Sequence, residues 1–158
     1  MSTASNSTPQ IDPRGPRFAA GITTFVFIAV LWLGLPTAAT PQFDAAWWLL
    51  IFATVMFAWG TVLGPARHPY SYLFRTLIRP RLQKPSFMED EAPPRFALFV
   101  GFVVSMVGVV LHLAGVPYGL VAASAAALIA AVLNAFFGLC LGCEMYNAIL
   151  RLRGVTRA

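Results

Sequence analysis

Four long runs without a single Asp, Glu, Lys or Arg constrain this chain more than any other feature. They cover residues 18–35, 45–64, 96–115 and 118–143. A hydrocarbon core of about 30 Å needs about 20 helical residues to cross it. Proline follows or closes the first three runs, at Pro36, Pro65 and Pro117. The runs therefore predict an all-α integral membrane protein, a bundle of four transmembrane helices.

The composition supports this prediction and narrows the choice of partners. Apolar residues make up 58% of the chain and charged residues 11%, against roughly 45 to 50% and about 25% in soluble domains. The net charge of +5 would suggest nucleic acid in a soluble protein. Because the basic residues flank membrane-embedded runs, we expect membrane lipids as partners and no nucleic acid.

The basic residues also predict an orientation. All eleven Lys and Arg residues lie in the N-terminal segment, the segment 66–95 or the C-terminal segment, and the two short turns between runs have none. By the positive-inside rule, both termini are cytoplasmic in the cell membrane, the inner or plasma membrane. Residues 1–10 are predicted to be a disordered tail, residues 11–153 the membrane domain, and residues 154–158 a short C-terminal tail.

The long connection 66–95 contains a stretch in which apolar and aromatic residues alternate with arginines. This pattern fits a short interfacial helix stopped by Pro80, and it also fits a solvated loop. The apolar and aromatic residues of the stretch are Tyr70, Tyr72, Leu73, Phe74, Leu77 and Ile78.

A shift of 78 positions superimposes the two halves of the sequence without gaps. It places Pro16-Arg17-Phe18-Ala19 on Pro94-Arg95-Phe96-Ala97, and Gly64 on Gly142. We therefore predict two duplicated transmembrane hairpins, related by an axis along the membrane normal. Only the second copy carries cysteines, because Cys143 falls opposite Pro65.

Cys140 and Cys143 form the one motif with evident chemical potential. On a helix, residues three apart share a face at a Cα separation of about 5 to 6 Å, which a disulfide accepts. With the fourth run helical to Cys143, the pair sits at a helix C-terminus, which disfavours a thiolate. Only a nearby arginine reverses that effect, and the candidates are Arg17, Arg67, Arg95 and Arg151.

Three interpretations of the cysteine pair stay open. The first is thiol redox or sulfur handling, with Cys140 and Cys143 as catalytic residues and Glu144, Tyr146 and His68 as auxiliaries. The second is metal or cluster ligation, which needs more ligands than the pair offers, so that His68, Glu144 or a second copy of the chain would have to contribute. The third is simple packing of a helix end. We predict no cofactor and no metal.

Arginines recur just before the first and third runs, at Arg14, Arg17 and Arg95. Anchoring at the depth of the lipid phosphates explains them. The functional alternative is a rim that attracts anions or lipid headgroups close to the cysteines.

Two boxes together resemble a known family. They are Asp12-x-Arg14-Gly15-x-Arg17 and Gly138-x-Cys140-Leu141-Gly142-Cys143-x-x-Tyr146, and they resemble small bacterial membrane proteins catalogued as domain of unknown function 4395. The likeness extends from about Ile11 to Arg153. It implies a four-helix membrane protein and does not name a reaction.

The sequence leaves two functional hypotheses from different classes. In the first, Cys140 and Cys143 cycle between dithiol and disulfide with a cytoplasmic thioredoxin-like or sulfurtransferase partner, and Cys143 attacks first because it lies nearer to water. In the second, the chain is a non-enzymatic membrane scaffold or subunit that docks a cytoplasmic partner through its basic middle loop. Either version permits a homo-oligomer, and whether the chain is an enzyme stays open.

Overall fold

The computed structural model describes residues 9–85 and 87–154. Four of its helices are long and apolar enough to cross a membrane, which confirms a multi-pass, all-α membrane bundle. The elements in chain order are β1 (Gln10–Ile11), α1 (Arg14–Gly34), α2 (Ala45–Leu63), α3 (Pro69–Leu73), β2 (Glu89–Asp90), α4 (Ala92–Leu113), α5 (Gly119–Phe137) and α6 (Leu141–Leu152).

Helices α1 and α4 begin one turn before the apolar runs, because an aspartate turns the chain into each helix. The Asp12 carboxylate accepts the Arg14 backbone N–H at 3.0 Å, and the Asp90 carboxylate accepts the Ala92 N–H at 3.0 Å. Such Asx turns satisfy backbone donors that the first helical turn leaves free. Arg14, Arg17 and Arg95 therefore lie within the first turns of α1 and α4.

The bundle pairs α1 with α5 and α2 with α4, and each hairpin also packs within itself. Phe27, Val30 and Leu50 are fully buried at its centre. Small residues allow close approach elsewhere, since a Cβ on Gly108 would come within 2.8 Å of the Ala123 Cβ. In lipid, this packing of small and apolar side chains is what holds helices together.

One end of the bundle contains the starts of α1 and α4 and the ends of α2 and α5, together with the arginines of the segment 66–95. We call it the basic end. Strands β1 and β2 pair there in antiparallel fashion, with Ile11 opposite Glu89. These two residues are 78 positions apart, and so are the two Asx turns. Two hairpins related by a two-fold axis would pair their strands in this register. The common origin of the two hairpins stays a prediction.

The middle segment contains a short helix, one of the two alternatives that its sequence pattern left open. Helix α3 continues as a π-helical turn over Phe74–Ile78, and a 3-10 turn over Arg79–Arg81 follows. Phe74 is buried, and its ring lies 5.8 Å from that of Phe18, whereas Tyr72 and Leu77 are exposed. Pro80 falls in the 3-10 turn, so helical structure extends one residue beyond the predicted stop.

The fourth transmembrane helix is shorter than predicted. It ends at Phe137, not at Cys143, because Gly138 adopts a left-handed conformation with φ of 67°. Glycine takes this conformation without steric cost, and it commonly ends helices. After the break the chain forms α6, a separate amphipathic helix that packs on α4.

The predicted tails fall largely outside the described residues. Residues 1–8 of the N-terminal tail and 155–158 of the C-terminal tail are not among them. Of the remaining tail residues, Gln10 pairs with Asp90 in the small ladder, and the Pro9 carbonyl accepts the Glu91 N–H at 3.0 Å. Pro9 and Gln10 therefore contact the segment before α4.

Candidate thiol–disulfide site

The two cysteines lie at the junction between α5 and α6. Their sulfur atoms are bonded in a disulfide, and their Cα atoms are 5.2 Å apart. Cys140 is the N-cap residue of α6, and its Sγ accepts the Cys143 backbone N–H at 3.3 Å. Its carbonyl accepts the Glu144 N–H at 3.0 Å. Both side chains are partly exposed.

This placement reverses one expectation from the sequence. The prediction that the cysteines sit at a helix C-terminus is wrong, because the chain breaks at Gly138 and starts a new helix at Leu141. A helix N-terminus carries partial positive charge and free N–H groups, and it stabilises a thiolate. The local backbone thus favours thiol reactivity at Cys140 instead of opposing it.

The packing of α6 against α4 holds the pair in place. Gly142, between the cysteines, lies directly on the backbone of Ala97 and has no room for a side chain. One turn further, the Tyr146 ring lies 5.7 Å from the Phe96 ring. Tyr146 is therefore positioned as a packing residue, while Glu144 is exposed in the first turn of α6.

Arg17 is the arginine that the structure brings to the cysteine segment. Its guanidinium lies beside Gly138, where a Cβ would be 3.6 Å from Cζ, and its Nη2 donates to the Ala135 carbonyl at 3.5 Å. It thus caps the end of α5, two residues before Cys140. A cation at this position adds to the positive potential of the α6 N-terminus.

Arg95 and Arg14 also donate to backbone carbonyls. Arg95 caps the end of α2, with Nε 2.8 Å from the Thr61 carbonyl and Nη2 2.9 Å from the Val62 carbonyl. Arg14 donates to the Gln83 carbonyl at 3.0 Å. Arg17 and Arg95 correspond under the shift of 78 and cap equivalent helices. Their predicted role as an anion-attracting rim stays a prediction.

Both ring nitrogens of His68 contact backbone groups. It is buried, its Nδ1 accepts the Tyr70 N–H at 3.2 Å, and its Nε2 lies 3.0 Å from the Met56 carbonyl. Burial lowers the pKa of His68 below its ordinary value, against the opposing hydrogen bond to Met56. The ring is thus a neutral helix cap with no nitrogen free for a metal. Among residues 9–85 and 87–154, no three potential ligands cluster.

A family model described as "Domain of unknown function (DUF4395)" matches residues 11–151. The chain belongs to this family. Comparison with curated proteins and with solved structures gave no match. The DUF4395 match includes both cysteines and the three arginines in the first turns of α1 and α4.

Two determinants of the DUF4395 site were missed at the sequence level. Gly138 ends α5 through its left-handed backbone, and Gly142 allows α6 to rest on Ala97. A signal for them existed, because two glycines four apart interrupt the apolar run on either side of Cys140. Because glycine is also common inside transmembrane helices, these two glycines did not by themselves predict a helix break.

The surroundings of the disulfide in this DUF4395 protein are apolar. Phe136 and Phe137 at the end of α5 are 68% and 75% exposed, and Leu139, Leu141 and Met145 are exposed as well. In a membrane these side chains face lipid or the headgroup boundary. The two cysteines are therefore surrounded by exposed apolar side chains at the ends of α5 and α6.

Proposed function

We propose that the protein carries out thiol–disulfide exchange through Cys140 and Cys143 at the cytoplasmic face of the cell membrane. The observation that carries this proposal is the position of Cys140, whose sulfur caps the N-terminus of α6 next to the Cys143 N–H. The Cα separation of 5.2 Å lies in the range where the pair opens and closes without backbone movement.

The capping geometry supports Cys140 as the attacking thiolate, in place of Cys143. In the reduced state its sulfur keeps the Cys143 N–H and the helix N-terminus as stabilising partners. The Cys140 thiolate attacks a disulfide of a thioredoxin-like partner, forms a mixed disulfide and releases one partner thiolate. Cys143 then loses its proton and attacks the Cys140 sulfur, which releases the second partner thiol. Two electrons and two protons pass to the partner.

The cytoplasmic placement of the site rests on the charge distribution. The cysteines lie at the basic end, and the turns at the opposite end contain no Lys or Arg. Cytoplasmic thiols are kept reduced, so a disulfide on this side is transient and belongs to a catalytic or sensing cycle.

Differential alkylation tests both parts of the proposal. Thiols are labelled in intact cells and in inverted membrane vesicles, before and after a mild oxidant, and are read by mass shift. We expect both thiols to react with a membrane-impermeant reagent only in inverted vesicles, and to be reversibly protected by oxidant. Thiols that stay free after oxidant contradict the redox function, and labelling from outside intact cells contradicts the orientation. Cys140→Ser and Cys143→Ser variants show which mass belongs to which thiol.

The scaffold alternative is favoured by one observation, the exposed Tyr72, Leu73 and Leu77 on the arginine-bearing middle segment. It predicts that the Cys140→Ser/Cys143→Ser double variant keeps every cellular partner, while replacement of residues 69–82 by a Gly/Ser linker releases them. Thiol–disulfide exchange predicts the opposite, with trapping of a mixed disulfide in the single Cys143→Ser variant.

A further inference from the structure

A cavity of about 130 Å³ lies at the basic end, on the first hairpin and away from the cysteines. It is enclosed by β1, the start of α1 and the segment that follows α2. Its polar side chains are those of Gln10, Asp12, Ser71, Arg75 and Arg79, and its apolar walls include Ile11, Pro65 and Phe74. None of these residues takes part in the thiol–disulfide site.

The two arginines of this cavity differ from those in the first turns of α1 and α4. Arg14, Arg17 and Arg95 each donate to a backbone carbonyl. Within residues 9–85 and 87–154, the guanidinium groups of Arg75 and Arg79 have no hydrogen-bond or ion-pair partner. Both arginine side chains are exposed, and both residues line one concave surface, four residues apart on adjoining helical turns.

The chemistry of the lining selects the ligand class. Guanidinium groups bind phosphate oxygens in bidentate fashion, and such charge-assisted hydrogen bonds are about twice as strong as neutral ones. A cavity of this volume has room for several water molecules, and so for a phosphate group, but not for an acyl chain. The neighbouring Tyr72 and Leu77 are exposed, as in segments that lie at the headgroup level of a bilayer.

We propose that Arg75 and Arg79 form a binding site for the phosphate group of an anionic ligand, supplied either by a phospholipid headgroup or by a free phosphate. Asp12 lines the same cavity and opposes the anion, while one of its oxygens caps the Arg14 N–H. In this site, one carboxylate therefore weakens the attraction of two guanidinium groups for the anion. The site operates independently of the cysteines.

Binding is measured on the full chain purified in detergent. One arm uses native mass spectrometry with phosphatidylglycerol, and with diacylglycerol as the phosphate-free probe. The other arm follows the melting temperature with added inorganic phosphate. The test variant is Arg75→Gln/Arg79→Gln. The matched control is Arg81→Gln/Lys84→Gln, which removes the same charge from the same segment outside the cavity lining.

We expect the wild-type chain to retain phosphatidylglycerol over diacylglycerol, and the test variant to lose affinity roughly 25-fold, from about fivefold per arginine. The control should change little. Asp12→Asn should bind more tightly, because asparagine keeps the cap and removes the opposing charge. A phosphate-dependent rise in melting temperature without lipid selectivity, lost only in the test variant, assigns the site to free phosphate. Equal losses in test and control variants, or no loss in either arm, overturn the proposal.

Discussion

Gly142 determines how closely α6 approaches α4. Its backbone conformation is ordinary, so the requirement for glycine comes from space alone: any side chain at this position would overlap Ala97. The close contact fixes the position of the first turn of α6, which contains Cys143 and follows the N-cap residue Cys140. A single missing side chain thus connects bundle packing to the geometry of the disulfide.

We expect Gly142→Val to push α6 away from α4. Overpacking of this kind destabilises by about 1 to 3 kcal/mol, and thermal unfolding in detergent measures it. Dithiol oxidation should slow as well, because the α6 N-terminus moves. Gly21→Ala is the control, since Gly21 has no atom within 4 Å of an added Cβ. Equal stability of the two variants would contradict the packing role.

His68 makes stability depend on pH. Burial holds its folded-state pKa below the ordinary value of 6.5. The unfolded chain therefore binds a proton as the pH falls through about 6.5, while the folded chain does not, and stability decreases toward acid. We predict that His68→Asn flattens this part of the thermal-unfolding profile between pH 7.5 and 5.5, since asparagine caps the helix without titrating. A wild-type profile that rises toward acid would contradict a neutral His68.

At the scale of elements, helix α6 begins on a residue with two roles. Cys140 supplies a sulfur for the disulfide, and that sulfur also caps the helix by accepting the Cys143 N–H. The cap stabilises the helix, whereas the disulfide serves redox chemistry. Two substitutions of Cys140 distinguish these two roles.

Cys140→Ser and Cys140→Ala should both abolish disulfide formation but differ in stability. Serine is a good N-cap and alanine a poor one, with a difference of about 1 kcal/mol. We therefore expect α6 amides to exchange hydrogen faster in Cys140→Ala than in Cys140→Ser, with Cys143→Ser as the reference that lacks the disulfide but keeps the cap. Identical exchange in the two Cys140 variants would show that the sulfur does not cap the helix.

The sequence predicted the four transmembrane helices because uncharged runs of membrane-spanning length have few alternatives. For the segment before Pro80, the apolar pattern fitted both a short helix and a solvated loop, and the structure has the helix. The sequence missed the α5–α6 break, because Gly138 and Leu139 are as apolar as the helix they end. It missed the β1–β2 pairing as well, since strands of two residues have no periodicity. The position of the cysteines at a helix N-terminus depends on that break and could not be predicted.

Across the whole molecule, equivalent contacts join the two hairpins at the basic end. Arg17 of α1 caps α5, and Arg95 of α4 caps α2. The β1–β2 ladder lies between them and connects the residues before α1 to the residues before α4. Contacts that cross between hairpins are the ones that fix their relative position.

Removal of residues 1–11 should loosen the basic end while the four spans remain folded. The truncation deletes β1, so Glu89 and Asp90 lose their backbone partners, and the buried Ile11 no longer packs. We expect faster proteolysis between residues 82 and 91, with unchanged helical circular dichroism. A chain lacking only residues 1–8 keeps the ladder and serves as the control. Equal proteolysis of both chains would contradict a bracing role for β1.

The two hairpins differ where the chemistry lies. Gly60 is inside α2, which continues to Leu63, whereas its counterpart Gly138 ends α5. A helix N-terminus follows at Leu141 in the second hairpin, while a 3-10 turn begins at Pro65 in the first. The second hairpin is thus followed by the cysteine pair, whereas the corresponding part of the first hairpin borders the arginine-lined cavity.

The register of the small ladder bears on how such a protein could originate. Ile11 lies opposite Glu89, its own counterpart 78 residues later, so two separate copies of one hairpin could pair in the same way through an isologous interface. A two-helix ancestor with this strand would form a homodimer through pairing of the strand with its own copy. In such a homodimer every substitution occurs in both copies. After fusion of the two genes, a substitution occurs in one half only, so cysteines in the second half would not be repeated in the first.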